Sequence, residues 1–316
     1  MTDKSRGRPW QAVASFSGTA LTALILLTQP SWAQAANATP LLPDLDQETP
    51  RHVGVFSGKV DGRTRWRIAF DSSASNVGDG PMLLHGVRAS GTAPTMRADQ
   101  LVRMSDGRVQ LTKGVGRIRY VRLHDHRHWH FLDFERYELR DNRTMQLVAH
   151  DNKSGFCLGD RYRVSRKVKI PARVNQRVYG DNCGPRRDKL MGIFEGMSPG
   201  WGDRYVARLE GQYVDLAGVH SGTYQLVNRV NPDGRLIERT LVNNAATNRI
   251  RITWPHGHDS APSVRVIAVC PASFGCGGAW PAGQRPIPAD LVGTPFGDAL
   301  RAADQQAPNN RKDVKK

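Results

Sequence analysis

Four histidines alternate along one short stretch of the chain, at His124, His126, His128 and His130. Alternation with a period of two residues is typical of a β-strand, so the four imidazole rings should share one face. Neutral imidazole is the commonest protein ligand for copper and zinc. The stretch therefore predicts a transition-metal site on a strand. A solvated polar face and a His/Arg patch for an anion are the alternatives.

The spacing of these histidines constrains the strand that carries them. With a rise of about 3.3 Å per residue, His126 and His130 would lie roughly 13 Å apart at Cα. Three rings can reach one ion only if the outer two lean inward, so we expect the strand to bend or bulge. A zinc hydrolase would also suit three histidines and a water. The chain has no His-Glu-x-x-His motif to supply the general base, so that class ranks last.

The remainder of the chain predicts an all-β, antiparallel, sandwich-like single domain with long loops. Short alternating runs are separated by turn signals such as Asp106-Gly107 and Asn231-Pro232-Asp233-Gly234, with no convincing helical period. The histidine strand should continue to Leu139. The other expected strands are residues 65–70, 81–87, 145–150, 205–209, 212–216, 222–230, 237–242 and 248–254.

The two ends of the chain differ from this domain. Residues 1–38 have the basic start, short apolar run and small residues of a secretory signal peptide. That run is too short to cross a bilayer, although an uncleaved anchor is an alternative. We expect a secreted or extracytoplasmic protein without a membrane span, a catalytic domain over residues 39–297, and a disordered polar tail over residues 298–316.

The formal net charge of +16 limits the choice of partners. Export argues against nucleic acid as a natural target, so anionic polymers of the cell envelope are the expected electrostatic partner. This charge would repel a cationic substrate unless the binding site were locally acidic, and the sequence does not decide that point. Four cysteines in an exported chain favour two disulfides over free thiols.

Four motifs, in order over about residues 40–276, resemble the lysyl oxidases. The first is His126-x-His128-x-His130 followed by Asp133 and the triplet Tyr137-Glu138-Leu139. The second runs Lys-Ser-Gly-Phe-Cys-Leu-Gly-Asp over residues 153–160. The third is Ser-Pro-Gly-Trp-Gly-Asp-Arg-Tyr over residues 198–205, followed by Gln212 to Asp215. The fourth extends from Gly-Thr-Tyr at residues 222–224 to Asn243-Asn244. The resemblance is to that family's catalytic domain, in what looks like a microbial version.

This resemblance implies a copper-dependent amine oxidase with a lysine tyrosylquinone cofactor. By position, His126, His128 and His130 would bind copper, and Lys153 and Tyr205 would form the quinone. The implied substrates are O2 and a primary amine, either peptidyl lysine or a small amine, which would become an aldehyde with release of hydrogen peroxide and ammonia. The motifs do not identify the base that removes the proton next to nitrogen. Asp203, two residues from Tyr205, is a first candidate.

Three further expectations come from the same resemblance. The disulfides would be Cys157–Cys183 and Cys270–Cys276. A structural calcium ion would be held by oxygen atoms. Its matching positions are Asp44, the Leu45 carbonyl, Glu238, Asn243 and Asn244, whereas Thr240 stands where an aspartate is expected. The main alternative function is a secreted copper-binding or copper-handling protein that lacks quinone chemistry.

Overall fold

Antiparallel β-strands make up nearly all of the regular structure. The computed structural model describes residues 38–122, 127–151, 153, 155–164, 177–180, 183–207, 209, 211–277 and 287–306. From Ala38 onward the chain forms one compact unit. The strands are β1 (Pro40–Leu41), β2 (Leu45–Gln47), β3 (Arg51–Val60), β4 (Arg63–Asn76), β5 (Met82–Arg88), β6 (Thr95–Met104), β7 (Val109–Tyr120), β8 (Trp129–Phe131), β9 (Glu135–Asp141), β10 (Leu147–His150), β11 (Tyr162–Arg163), β12 (Gly192–Met197), β13 (Trp201–Tyr205), β14 (Tyr213–Asp215), β15 (Gly222–Val230), β16 (Ala245–Thr253) and β17 (Ser263–Cys270).

These strands form three sheets. One has the order β12-β5-β6-β7-β8, with β1 beside β6, so β8 lies at its edge. The second has the order β10-β9-β15-β16-β17. In the third, β4 is the central strand and pairs with β2, β3, β13 and β14. The pairings are antiparallel, which agrees with the all-β prediction.

Strand β4 connects the surface of the third sheet to the core. Its first residues are exposed, whereas the run from Ile68 to Asn76 is buried. Its buried end pairs with β13, where Tyr205 lies opposite Ser72. The main core, which includes Phe70, Trp129 and Phe156, also takes in Tyr205. The strand that carries Tyr205 is therefore held on one side by a sheet partner and is packed in the centre of the unit.

The histidine stretch departs from the predicted continuous strand. Residues 123–126 lie outside the described residues, and β8 ends at Phe131. The chain then turns through Asp133, whose φ of 58° is left-handed, before β9 begins at Glu135 in another sheet. The predicted continuous strand overlooked a sign of this break. Phe131 and Phe134 are three residues apart and would point to opposite faces of one strand, and Asp133 between them can adopt the left-handed region at low cost.

Three other predictions of secondary structure are wrong. The strand expected over residues 205–209 lies earlier in the chain, as β13, which ends at Tyr205. Residues 237–242 form no strand. Their backbone is bound by other groups instead, since Ile237 N donates to Gln100 Oε1 (2.7 Å) and Arg239 N to Pro43 O (2.8 Å). In place of a wholly disordered tail from residue 298, an α-helix, α1, covers Pro295–Gln306. Its Phe296 and Leu300 are buried in a second cluster with Phe274, and this apolar contact explains the helix. Residues 307–316 lie outside the described part.

The cysteines form the two expected pairs, Cys157–Cys183 and Cys270–Cys276. The predicted hairpin at Asp106-Gly107 is also present between β6 and β7, with Gly107 at a φ of 87°. Among the described residues, no helix has both the length and the apolar character needed to cross a bilayer.

Candidate functional site

The segment from Asp151 to Asp160 carries Lys153 across the core. It is attached at one end by a bridge between Asp151 and Val214 and further along by one between Phe131 and Phe156. The close contact with β8 requires Gly155. A Cβ at this position would lie 2.9 Å from both His130 Cβ and the Phe131 carbonyl oxygen, and its φ is 150°. The glycine of this motif therefore lets Lys153 approach the core beside the histidine strand.

Lys153 and Tyr205 lie close to each other although they are 52 residues apart in the sequence. The Nζ of Lys153 is 4.6 Å from the centre of the Tyr205 ring and 4.7 Å from that of Phe156. The Phe156 ring packs edge-on against Tyr205, with 4.9 Å between their centroids. The lysine amine thus reaches the one tyrosine that the motifs pair with it.

The Tyr205 side chain is buried and held in place by polar groups. Its hydroxyl lies 2.8 Å from the Cys157 carbonyl oxygen and 2.9 Å from Asp203 Oδ2. Burial, followed by the nearby Asp203, raises the pKa of Tyr205 well above its usual value. The phenol therefore stays protonated at neutral pH, and the ring cannot rotate away from Lys153 without losing these bonds.

Asp203 is a fully buried acid whose oxygens already have partners. It forms an ion pair with Arg161 and accepts hydrogen bonds from Gly159 N (3.2 Å) and Arg204 N (2.8 Å). Burial raises its pKa to about 7, although Arg161 opposes that change. The contacts fit a residue that orients the Tyr205 hydroxyl.

A cavity of about 450 Å³ lies in front of Lys153. This volume is within the range of small-molecule sites. The residues that line it are Asp133, Glu135, Arg136, Glu138, Leu147, His150, Asp151, Lys153, Arg229, Pro232, Asp233, Asp290, Leu291 and Thr294. Six of them are acids, so the site is locally acidic despite the positive charge of the whole chain. This answers the question that the net charge left open.

Glu135, the first residue of β9, is the buried acid in this cavity that sequence reasoning missed. The Ser72 hydroxyl donates to its Oε2, while its Oε1 is buried and has no hydrogen-bond partner in the described part of the chain. Burial raises the pKa of Glu135 to about 7, and the hydroxyls of Ser72 and Tyr137 and the Lys153 ammonium oppose the shift. Only the three-dimensional packing of β4 against β9 distinguishes it from the other acids of the chain.

The two histidines of the proposed copper site that the structure describes point their rings at each other. The Nε2 atoms of His128 and His130 are 2.7 Å apart, and their ring centroids are 4.7 Å apart. Ligand nitrogens at about 2 Å from a shared ion would be separated by about 3 Å. This convergence fits a shared transition-metal ion. His126 and His124 lie outside the described residues.

Two acids within these motifs hold the fold together. Asp160 accepts hydrogen bonds from the backbone of Val178, Tyr179 and Ser198, at 2.7 to 3.0 Å, and thus ties the second motif to the third. Glu138 lies between Arg140 (2.6 Å) and Arg229 (2.5 Å), which hold its pKa down at about 2 against burial. These contacts assign a structural role to two residues that the motifs alone leave open.

Comparisons with known proteins identify the family. Residues 96–257, just over half of the chain, match the family model described as lysyl oxidase. The chain therefore belongs to the lysyl oxidase family, as the four motifs predicted.

Curated relatives match over a shorter region. The chain is 31% identical over 140 residues to the rat and human proteins named protein-lysine 6-oxidase. The match covers 44% of this chain and 30% of each relative. Human lysyl oxidase homolog 1 is 30% identical over 143 residues, or 45% of this chain and 22% of that protein. The chain thus spans about a third or less of the length of these relatives.

Proposed function

We propose that the protein is a copper-dependent amine oxidase that uses a quinone formed from Lys153 and Tyr205. The reaction converts a primary amine, O2 and water to an aldehyde, ammonia and hydrogen peroxide, and peptidyl lysine is one candidate substrate. The observation that carries this proposal is the distance of 4.6 Å between Lys153 Nζ and the centre of the Tyr205 ring. A copper-binding protein would have no need for that approach.

The residues at the proposed metal site suit copper. Imidazole nitrogens are ligands that copper accepts readily, and His128 and His130 converge on one point. We assign His126, His128 and His130 as the ligands. When bound, the copper ion with O2 would supply the oxidation of the Tyr205 ring, and the quinone would supply a carbonyl for the substrate amine and an acceptor for its electrons.

The residues of the chain itself prepare this chemistry by positioning. The side chain of Asp151 accepts a hydrogen bond from Lys153 N (2.8 Å) and so fixes the backbone of the lysine. Tyr205 is oriented by Asp203 and the Cys157 carbonyl, and Phe156 keeps water from one face of the ring. Such preorganisation lowers the entropy cost of bringing the amine to the ring.

A mass analysis of copper-reconstituted protein tests the proposal. Digestion should yield one linked peptide that contains both Lys153 and Tyr205, and the protein should release peroxide from an amine. Lys153→Ala and Tyr205→Phe should each abolish the linked peptide and the peroxide while copper stays bound, since neither is a proposed ligand. Lys113→Ala and Tyr213→Phe, which replace a lysine and a tyrosine outside the cavity lining, are the matched controls. Separate, unmodified peptides from the wild type would leave a copper-binding protein as the function.

The residues proposed as calcium ligands are joined by hydrogen bonds. Glu238 accepts hydrogen bonds from Leu45 N (2.8 Å) and Asn244 Nδ2 (2.7 Å), and Asn243 Nδ2 lies 3.3 Å from Asp44. The side-chain oxygens of Asn243 and Asn244 are buried and accept no hydrogen bond from any residue that the structure describes, which fits a cation with oxygen ligands.

Arg239 opposes calcium at this site. Its Nε lies 3.0 Å from Asp44 Oδ2, so a guanidinium already balances that carboxylate. A calcium site predicts a higher melting temperature in calcium than in a chelator, and Glu238→Ala should remove the difference. Equal melting temperatures would leave Arg239 as the cation of this cluster.

The proposed function also includes export of the protein and its binding to anionic polymers of the cell envelope. The pattern of residues 1–38 and the two disulfides support a secreted or extracytoplasmic protein. The charge of +16 supports adsorption to anionic envelope polymers. Retention on such a polymer should fall as salt is raised, and salt-independent retention would contradict it.

A further inference from the structure

The cavity in front of Lys153 contains one acid that is suited to accept a proton. Three of the other lining acids are bound by cations: Glu138 by Arg140 and Arg229, Asp233 by Arg136 and Arg235, and Asp290 by Arg140. Asp151 takes backbone hydrogen bonds from Tyr137 (2.6 Å) and Lys153 (2.8 Å) with its two oxygens. Asp133 is exposed. Glu135 differs from all of them, because it is buried and its Oε1 has no hydrogen-bond partner among the described residues.

Glu135 is also close to the tyrosine that the proposed function uses. Ser72 lies directly opposite Tyr205 in the pairing of β4 with β13, and opposed residues in antiparallel strands are about 5 Å apart at Cα. The hydroxyl of the same Ser72 donates to Glu135 Oε2. One serine therefore connects the carboxyl group to the strand of Tyr205.

The alternative base, Asp203, is less well placed. It does not line the cavity, and Arg161, Gly159 N and the Tyr205 hydroxyl already engage its oxygens. Glu135 lines the cavity, and among the described residues it forms no such ion pair.

We propose that Glu135 is the base that takes the α-proton of the amine substrate, with Ser72 as its positioning residue. This inference rests on the proposed oxidase function. Glu135 would take the proton of the C–H bond next to the substrate nitrogen. The quinone, to which that nitrogen binds with loss of water, would supply the acceptor for the electron pair of the bond. Over the whole reaction the amine, O2 and water would give the aldehyde, ammonia and hydrogen peroxide, with O2 taking up two electrons and two protons, so that Glu135 ends without the added proton.

The surroundings of Glu135 suit this role at neutral pH. The charged and titratable groups around it are Lys153 and Asp151 on the crossing segment, Tyr137 on its own strand, Tyr162 on β11, and Asp203 and Tyr205 on β13. With a pKa of about 7 the carboxyl is partly ionised at pH 7, and a base is most effective when its pKa is near the working pH.

Glu135→Gln, which keeps the shape of the side chain, tests the assignment in copper-reconstituted full-length protein. The linked Lys153–Tyr205 peptide should form as in the wild type. An arylhydrazine, which reacts with a quinone carbonyl and has no α-proton to lose, should label the variant to the same extent. Oxidation of benzylamine should fall by about 100- to 10,000-fold, the usual effect of losing a general base. Glu135→Asp should restore part of the rate.

Glu195→Gln is the matched control. Glu195 is also a fully buried acid with one oxygen that makes no hydrogen bond, but it does not line the cavity. Its variant should oxidise benzylamine at the wild-type rate. If Glu135→Gln is labelled by the hydrazine and oxidises benzylamine within about threefold of the wild type, Glu135 is not the base. If the wild type itself forms no linked peptide, the oxidase function fails and the base assignment fails with it.

Discussion

At the scale of single residues, burial raises the pKa of the acids around the site. The hydrogen-bond and ion-pair partners of each acid then decide its role. Glu135, Asp203 and Glu195 are all buried, and burial raises the pKa of each. Asp203 offsets its burial with Arg161 and orients a phenol, whereas Glu135 has only hydroxyl donors and a nearby ammonium. A buried carboxyl group thus orients a neighbouring side chain in one place and, in the proposed reaction, accepts a proton in another.

The raised pKa of Glu135 makes folding depend on pH. In the unfolded chain a glutamate loses its proton near its usual value of 4.5, but folded Glu135 keeps it up to about pH 7. As pH rises from 4.5 to 7, the unfolded state therefore binds fewer protons than the folded state, and the free energy of unfolding falls. In copper-free protein, Glu135→Gln should lose less stability between pH 5 and pH 7.5 than the wild type, as measured by urea midpoints.

The control for this prediction is Asp106→Asn. Asp106 is an exposed acid whose pKa is lowered, first by a backbone hydrogen bond from Arg108, so it is ionised throughout this pH range. Its variant should show the wild-type difference between the two pH values. A slope in Glu135→Gln that equals the wild-type slope would show that the carboxyl ionises at its ordinary value.

At the scale of elements, the crossing segment depends on its contact with β8. Gly155→Ala would place a Cβ 2.9 Å from the Phe131 carbonyl in a backbone conformation that L residues rarely adopt. We expect a loss of stability on the order of 3 kcal/mol and less of the linked Lys153–Tyr205 peptide, because the segment must move away from the core. Urea unfolding and mass analysis would measure the two effects.

Gly91→Ala is a matched substitution without such a contact. A Cβ at Gly91 would meet nothing within 4 Å, and its φ is not positive. Its effect on stability should remain within about 0.5 kcal/mol. Equal stability of the two variants would mean that the segment can shift without cost.

The C-terminal elements form part of the cavity wall. Asp290, Leu291 and Thr294 line the cavity, and Asp290 binds the buried Arg140 through both oxygens, at 2.7 and 3.1 Å. Helix α1 anchors them through Phe296, whose ring lies 5.5 Å from that of Phe274.

Phe296→Ala should therefore affect both the stability of the protein and its binding of substrate. We expect a loss of stability of about 3 to 5 kcal/mol from the deleted ring. We also expect a higher KM for a small amine, because the wall is no longer held. Val292→Ala, at a side chain that is 58% exposed, should change neither value. An unchanged KM in the destabilised Phe296 variant would show that helix α1 does not affect substrate binding.

At the scale of the whole molecule, the Cys157–Cys183 bridge closes a loop of 26 residues across the site. In the chain-entropy model such a bridge contributes about 3 to 4 kcal/mol, against about 2 for Cys270–Cys276. Replacing both cysteines of the first pair by serine should lower the urea midpoint more than the same change in the second pair. A larger loss from the second pair would mean that loop entropy does not dominate.

Sequence patterns predicted the parts of the fold that depend on local order. Strand β15 was expected over residues 222–230 and lies there, because alternation and flanking turns specify it. Helix α1 was missed, because its burial depends on Phe274, which is distant in the sequence. The break at Asp133 was missed as well, because the apolar run was taken as one strand although Phe131 and Phe134, three residues apart, would point to its opposite faces.

Only those residues of the candidate site that belong to the family motifs could be predicted from the sequence. Family resemblance paired Lys153 with Tyr205, and the structure brings these two side chains together. Glu135 had no such signal. Its raised pKa arises from burial between strands that are distant in the sequence, which no spacing along the chain encodes.

The central position of β4 has a consequence for where the protein can be cut. The part of the chain that matches the family begins at residue 96, whereas β4 ends at Asn76. A fragment trimmed to residues 96–257 would retain the three motif regions around Lys153, Tyr205 and the histidines, but it would lack the strand that β13 pairs with and the serine that holds Glu135. The region recognised by similarity is thus smaller than the region that must fold together for those residues to meet.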